Sequence, residues 1–179
     1  ASGGSYDAQL TVKLPRGAEG TYYLRVVTDA GGAVIEPDGE SNNQASSAAM
    51  AVTLAPYADL HTSSVTTNAA LLVGDPVDLT VTWTVKNLGT GSGDVSSWFD
   101  RIVLSTDETY GNGDDREIGR FAHDGLVPVN ASYTQTQIIA LAAATQGRFY
   151  VFVKADVDDA VYEHADAQPN VGRTDATID

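Results

Sequence analysis

The side chains in this sequence dense enough to do chemistry are hard oxygen donors. The stretch "TDETYGNGDDREIG" brings together Asp107, Asn112, Asp114 and Asp115, and "KADVDDAVYE" brings together Asp156, Asp158, Asp159 and Glu163. Ca²⁺ takes six to eight such oxygens, which loops rich in Asp and Asn supply together with free carbonyls. The first stretch lacks the alternating DxDxDG order of an EF-hand. The second is joined by Asp59 in "APYADL" if the strands alternate up and down. With seven such strands, the acidic loop between the sixth and seventh falls at the same end as the start of the domain, where a cation could set the angle between neighbouring modules. Ca²⁺ at Asp59, Asp156, Asp158, Asp159 and Glu163, or at Asp107, Asn112, Asp114 and Asp115, is therefore the expected site chemistry, with turn geometry as the plain alternative.

Catalysis finds less support. There are no cysteines, which removes thiolate nucleophiles, cysteine zinc sites and disulfides. His61, His123 and His164 are scattered, without HExxH, GxSxG or a glycine-rich phosphate loop, and read as loop or solvent-facing residues. Adjacent acids such as Asp114 and Asp115 share one polar environment, whereas acid–base work needs two environments that split the pKa values. No enzyme is expected. "NAS" at Asn130–Ser132 matches a glycosylation acceptor but also a polar turn. Trp98 and Tyr110, if exposed side by side, would make a sugar-binding platform, while Trp83 lies on a core-facing period.

The elements that must position these residues are strands. In "VDLTVTWTVKN", Val77, Leu79, Val81, Trp83 and Val85 alternate with Asp78, Thr80, Thr82, Thr84 and Lys86, the two-residue period of a half-buried strand. Further strands are expected near 58–66, 97–105, 117–122, 131–141, 148–155 and 170–178, between Gly, Asp and Asn clusters. Seven short strands in this length predict an all-β, immunoglobulin-like antiparallel β-sandwich. Its core should draw on Leu79, Val81, Trp83, Val103, Tyr150 or Phe149, and Val151 or Val153.

The chain also repeats itself. "GTYYLRVVTDAGGAVIEPDGESNN" (Gly20–Asn43) aligns without gaps on "GRFYVFVKADVDDAVYEHADAQPN" (Gly147–Asn170), an offset of 127 residues that also sets Ser5 on Ser132 and Leu14 on Leu141. Agreement at turn, core and acidic positions in one register implies tandem modules. Residues 1–55 read as the carboxyl-terminal half of one repeat and 56–179 as a complete repeat. Three strands in so short a half bury too little apolar surface to stand alone, so it should need a complement from another polypeptide segment or a swapped copy.

The motifs "LTVTWTVKNLGTG", "LSTDETYGNGDDREIG" and "YVFVKADVDDAVYE" resemble the CARDB family, bacterial extracellular repeats named for a suspected role in cell adhesion. The resemblance covers Ala58 to about Asp179, with Ser5–Val52 as a half copy. It implies a non-catalytic spacer or stalk at the bacterial surface or in a secreted protein, with neighbouring repeats as partners. The alternative it leaves open is an accessory module of an exported hydrolase that binds carbohydrate or protein. The family's usual ending is "ExxNN"; the first copy reads "ESNN" at Glu40–Asn43, whereas the second reads "AQPN" at Ala167–Asn170. A formal charge of −14 from 24 acidic and 10 basic residues disfavours nucleic acid. The longest apolar run, Ile138–Ala144, is far short of the ~20 residues that span a bilayer, so no membrane insertion is expected.

Overall fold

The computed structural model describes residues 4–36, 39–164 and 170–179, with Glu40 described by its backbone alone. The "AQPN" segment therefore falls, except for Asn170, outside the described residues. The chain divides into two units, Ala1–Ala55 and Pro56–Asp179.

In the first unit, β1 (Gly20–Tyr22) pairs with β4 (Met50–Val52), and β2 (Arg25–Val27) pairs with β3 (Gln44–Ser46), both antiparallel. A short 3-10 turn occupies Glu40–Asn42. Where three strands are expected there are four very short ones, because the chain breaks its ladder between Tyr22 and Arg25. Gly20, which opens β1, has a φ of 109° that strains any residue with a Cβ.

The second unit is a two-layer antiparallel sandwich. One sheet has the order β5 (Leu60–Thr67), β6 (Asp78–Asn87), β9 (Ser132–Ala140). The other has β11 (Val171–Arg173), β10 (Tyr150–Lys154), β7 (Ser97–Ser105) and β8 (Arg116–Asp124). Strand β6 shows why. Its inward residues Leu79, Val81, Trp83 and Val85 are all 0% exposed. Its outward threonines pair across the ladder to β9, with Thr82 to Thr136 Oγ1–Oγ1 at 2.9 Å and Thr84 to Thr134 at 2.8 Å. One face is thus held by apolar burial and the other by hydroxyl cross-links.

The expected core needs one correction. Val103 is buried but lies outside the main core, to which Ile102 and Leu104 contribute instead. Side chains alternate along this strand, so Val103 points away from Ile102 and Leu104 and pairs with Phe152 on the outer face, where the Tyr110 ring lies 5.8 Å from that of Phe152. On β10, Val151 and Val153 both face the core and Phe149 packs against it. Tyr150, by parity, faces outward and donates its hydroxyl to Glu108 Oε1 at 2.8 Å.

The pole at which β5 begins is tightly built. Asn87, 0% exposed, accepts from Asp59 N and Gly89 N and donates to Gly91 O and Val127 O. The "NLGTG" glycine at 89 is forced: a Cβ there would lie 2.3 Å from Tyr57 O. Asn130 of "NAS" occupies a left-handed turn position (φ 62°), its N–H donating to Asn87 O at 2.9 Å.

Candidate functional site

The acidic loop after β10 folds against the start of β5. Ala58 bridges Glu163 in parallel, and Glu163 Oε1 accepts the Leu60 N–H at 2.5 Å. Asp156, 1% exposed and in the left-handed region (φ 46°), closes the loop by accepting from Ala160 N at 3.0 Å and Val161 N at 2.8 Å. Burial raises the Asp156 pKa, and the Val161 and Ala160 N–H groups oppose that shift. Glu163 is pushed up to about 7, first by burial, with the charges of Asp59 and Asp156 adding to it and the Leu60 N–H and Asn170 side chain pulling the other way. Asp59, Asp156 and Glu163 therefore share one electrostatic neighbourhood. The other members of the expected set face away, Asp158 pairing with Arg120 and Asp159 with Lys154 at 3.1 Å.

The loop between β7 and β8 holds the second set. Asp114 Oδ2 accepts from Thr106 N at 2.7 Å, from Ser105 Oγ at 3.1 Å and from the Thr106 hydroxyl. The Thr106 hydroxyl is the main cause of its lowered pKa. Asp107 accepts from Thr109 N at 2.7 Å and Asn112 Nδ2 at 3.0 Å, and Asp115 Oδ2 accepts from Gly111 N at 2.5 Å. Asp115 Oδ1 is buried without a partner. Chemically, both acidic sets act first as caps for backbone amides that their loops would otherwise leave unsatisfied. Among the described residues, no three His, Cys, Asp or Glu side chains are grouped as a metal ion would need.

A polar cluster that the sequence reading missed lies between the sheets. Asp100, 0% exposed, accepts from Trp83 Nε1 at 2.8 Å and from the Tyr133 hydroxyl at 2.7 Å through Oδ2, and from Asp156 N at 3.3 Å through Oδ1. Trp98 Nε1 donates to the Tyr133 oxygen at 3.2 Å, and the His123 ring stacks on Tyr133 at 3.8 Å between centroids. Burial raises the pKa of both Asp100 and Tyr133. Parity held the clue: in "SWFDRIVLS", Asp100 falls on the same face as Trp98, Ile102 and Leu104, so a carboxylate sits on an apolar stripe.

This cluster corrects two expectations. His123 is buried rather than solvent-facing, His61 and His164 are half-buried, and the His164 ring lies 5.1 Å from that of Tyr57. Trp98 is 4% exposed and Tyr110 packs toward Phe152, so these two form no open platform for a sugar.

No protein-family model matches the chain, and neither does any curated protein. Among solved structures, the fold is similar to that of the CARDB domain of the PF1109 protein from Pyrococcus furiosus, solved in complex with di-metal ions. That domain shares 18% identity with a TM-score of 0.46, over 70% of this chain and 96% of that chain. CARDB is the family that the sequence motifs resemble. No helix among the described residues is long and apolar enough to cross a membrane.

Proposed function

We propose that the chain is a non-catalytic, extracellular module of a bacterial surface or secreted protein, serving as a spacer in an adhesion stalk. The observation that supports this reading is the path of the chain through the second unit. It enters at Ala58, where Glu163 bridges it, and leaves at Asp179, whose N–H donates to Ala70 O at 2.8 Å beyond the far end of β5. A strand of 8 residues separates those poles, about 26 Å at ~3.3 Å per residue. Each tandem copy would then lengthen a stalk instead of doubling it back, and the −14 charge keeps neighbouring stalks apart. Small-angle scattering on chains with two and four linked copies of residues 56–179 tests this. Maximum dimension should grow by a constant step per copy, and a compact particle would reject the spacer reading.

Ca²⁺ enters the proposal as a stiffener of the loop carrying Asp107, Asn112, Asp114 and Asp115, where the unpartnered Asp115 oxygen supports it. Titrating Ca²⁺ into chelator-treated protein should raise the melting temperature. Linkage sets the scale at ~2.7 kcal/mol when free metal is 100 times its dissociation constant. Asp115→Asn should remove the rise.

A further inference from the structure

The hairpin at residues 24–47 repeats the backbone pattern of residues 151–174, but not its surroundings. Arg25↔Ser46, Val26↔Ala45 and Val27↔Gln44 repeat the register of Phe152↔Arg173, Val153↔Gly172 and Lys154↔Val171. Asp29 has the φ of Asp156, 46°, and likewise closes its loop, accepting from Ala33 N at 2.8 Å and Val34 N at 2.9 Å. The Leu24 N–H donates to Ser47 Oγ at 3.0 Å as Val151 N–H does to Thr174 Oγ1 at 3.2 Å.

Three features of the first unit are explained by what covers the second. First, Val26 is 62% and Leu24 50% exposed, where Val153 and Val151 are each 0%. Val12, Leu14 and Val34 are also exposed, against buried Ile139, Leu141 and Val161. Second, residues 5–13 form no strand, whereas their counterpart β9 does, and β9 has its ladder with β6. Third, Glu36 Oε2 is buried without a partner, whereas its counterpart Glu163 accepts the Leu60 N–H of β5. The missing donor, the missing ladder and the missing apolar cover all belong to strands β5–β7.

We infer that residues 4–53 are a docking face for the amino-terminal half of a β-sandwich, carried by a polypeptide segment outside these 179 residues. That segment pairs a β6-like strand with residues 5–13 and a β7-like strand with residues 23–27, adding strands to two open edges. It presents an apolar alternation to Leu24 and Val26 and a backbone N–H to Glu36. A carboxylate placed like Asp100 would meet Tyr6, the counterpart of Tyr133. A second copy of this chain does not satisfy the face. Each copy brings one amino-terminal half and two carboxyl-terminal halves, so exchange between copies leaves the same number of faces open.

The test joins the sequence of residues 57–130 ahead of Gly4 and compares this longer chain with the 179-residue chain by amide hydrogen exchange and light scattering. Peptides from 132–179, distinct in sequence, report on the second unit. In the 179-residue monomer, amides of residues 5–13 should exchange at nearly free-chain rates. In the joined chain they should slow by about 100-fold or more. Val26→Asp should abolish the gained protection and leave peptides 132–179 unchanged. If the joined chain fails to fold, the 57–130 polypeptide supplied in trans during refolding must give the protection, and failure there overturns the proposal. Protection of residues 5–13 in the unextended monomer, or in a dimer of it, overturns it too, as does a joined chain that gains none or gains it equally with Val26→Asp.

Discussion

The ladders at residues 25–46 and 152–173 share their register residue for residue, yet one displays Val26 to solvent and the other buries its counterpart Val153 completely. Backbone geometry is therefore local here and burial is not. The hairpin turn is closed by one aspartate and a left-handed residue three positions on, Gly32 in one case and Asp159 in the other, both with positive φ. None of that needs the opposite sheet. What the opposite sheet adds is the apolar contact that makes such a hairpin stable, since an isolated two-stranded ribbon is marginal in water.

The largest expected effect breaks the second unit alone. Trp83→Ala removes a fully buried side chain and the donor to Asp100, and should cost on the order of 3–5 kcal/mol in denaturant melts. Hydrogen exchange in peptides from 20–52 should not change. A loss below about 1 kcal/mol would mean that the sheets do not meet at Trp83.

Asp100→Ala comes next, because it leaves both Trp83 Nε1 and the Tyr133 hydroxyl without the acceptor they share. About 2–3 kcal/mol is expected, with Asp100→Asn recovering part of it. Equal stability of Asp100→Ala and the parent would show that the carboxylate is dispensable for joining the sheets.

A sharper comparison sets Asp156→Ala beside Asp29→Ala. Each deletes two bonds to backbone amides, but Asp156 is 1% exposed and its bond to Val161 N is buried, so about 1–3 kcal/mol is expected there. Water can replace the lost acceptor around Asp29, whose loop is exposed, and its effect on the chain's melting should be well under 1 kcal/mol. Equal costs would mean that the two loops have the same cover.

The smallest effect is one of pH. The Glu163 pKa rises on folding from 4.5 to about 7, so the folded state holds that proton more tightly. Its contribution is fully present below pH 4.5 and is lost as pH climbs through 7. Glu163→Gln should therefore flatten the decline in stability across that window, measured as the difference between parent and variant melts. An unchanged slope would mean that Glu163 is solvated like an ordinary surface acid.

Much was legible in the residue order. The two-residue period of Leu79–Val85 placed β6, and the Gly and Asn clusters placed the turns, because side-chain parity and positive φ are properties of short stretches. The offset of 127 residues between Asp29 and Asp156 is likewise met by two loops of the same geometry. The candidate site was less legible. Sequence spacing drew Asp158 and Asp159 together with Asp156, but side chains in a tight loop diverge. One carboxylate turns inward to cap amides, and two turn out to Arg120 and Lys154.

By itself the sequence determined the strands of the second unit and their turns, and that the residues of one hairpin recur at an offset of 127. Only tertiary structure decided that Ile102 and Leu104 fill the core instead of Val103, since the run Ile102–Leu104 is apolar on both faces and the opposite sheet selects one. It also decided that Asp100 joins the sheets, since the partners of a buried charge come from strands distant in sequence. And it decided that Val153 is covered while Val26 is not, because burial depends on which strands lie opposite.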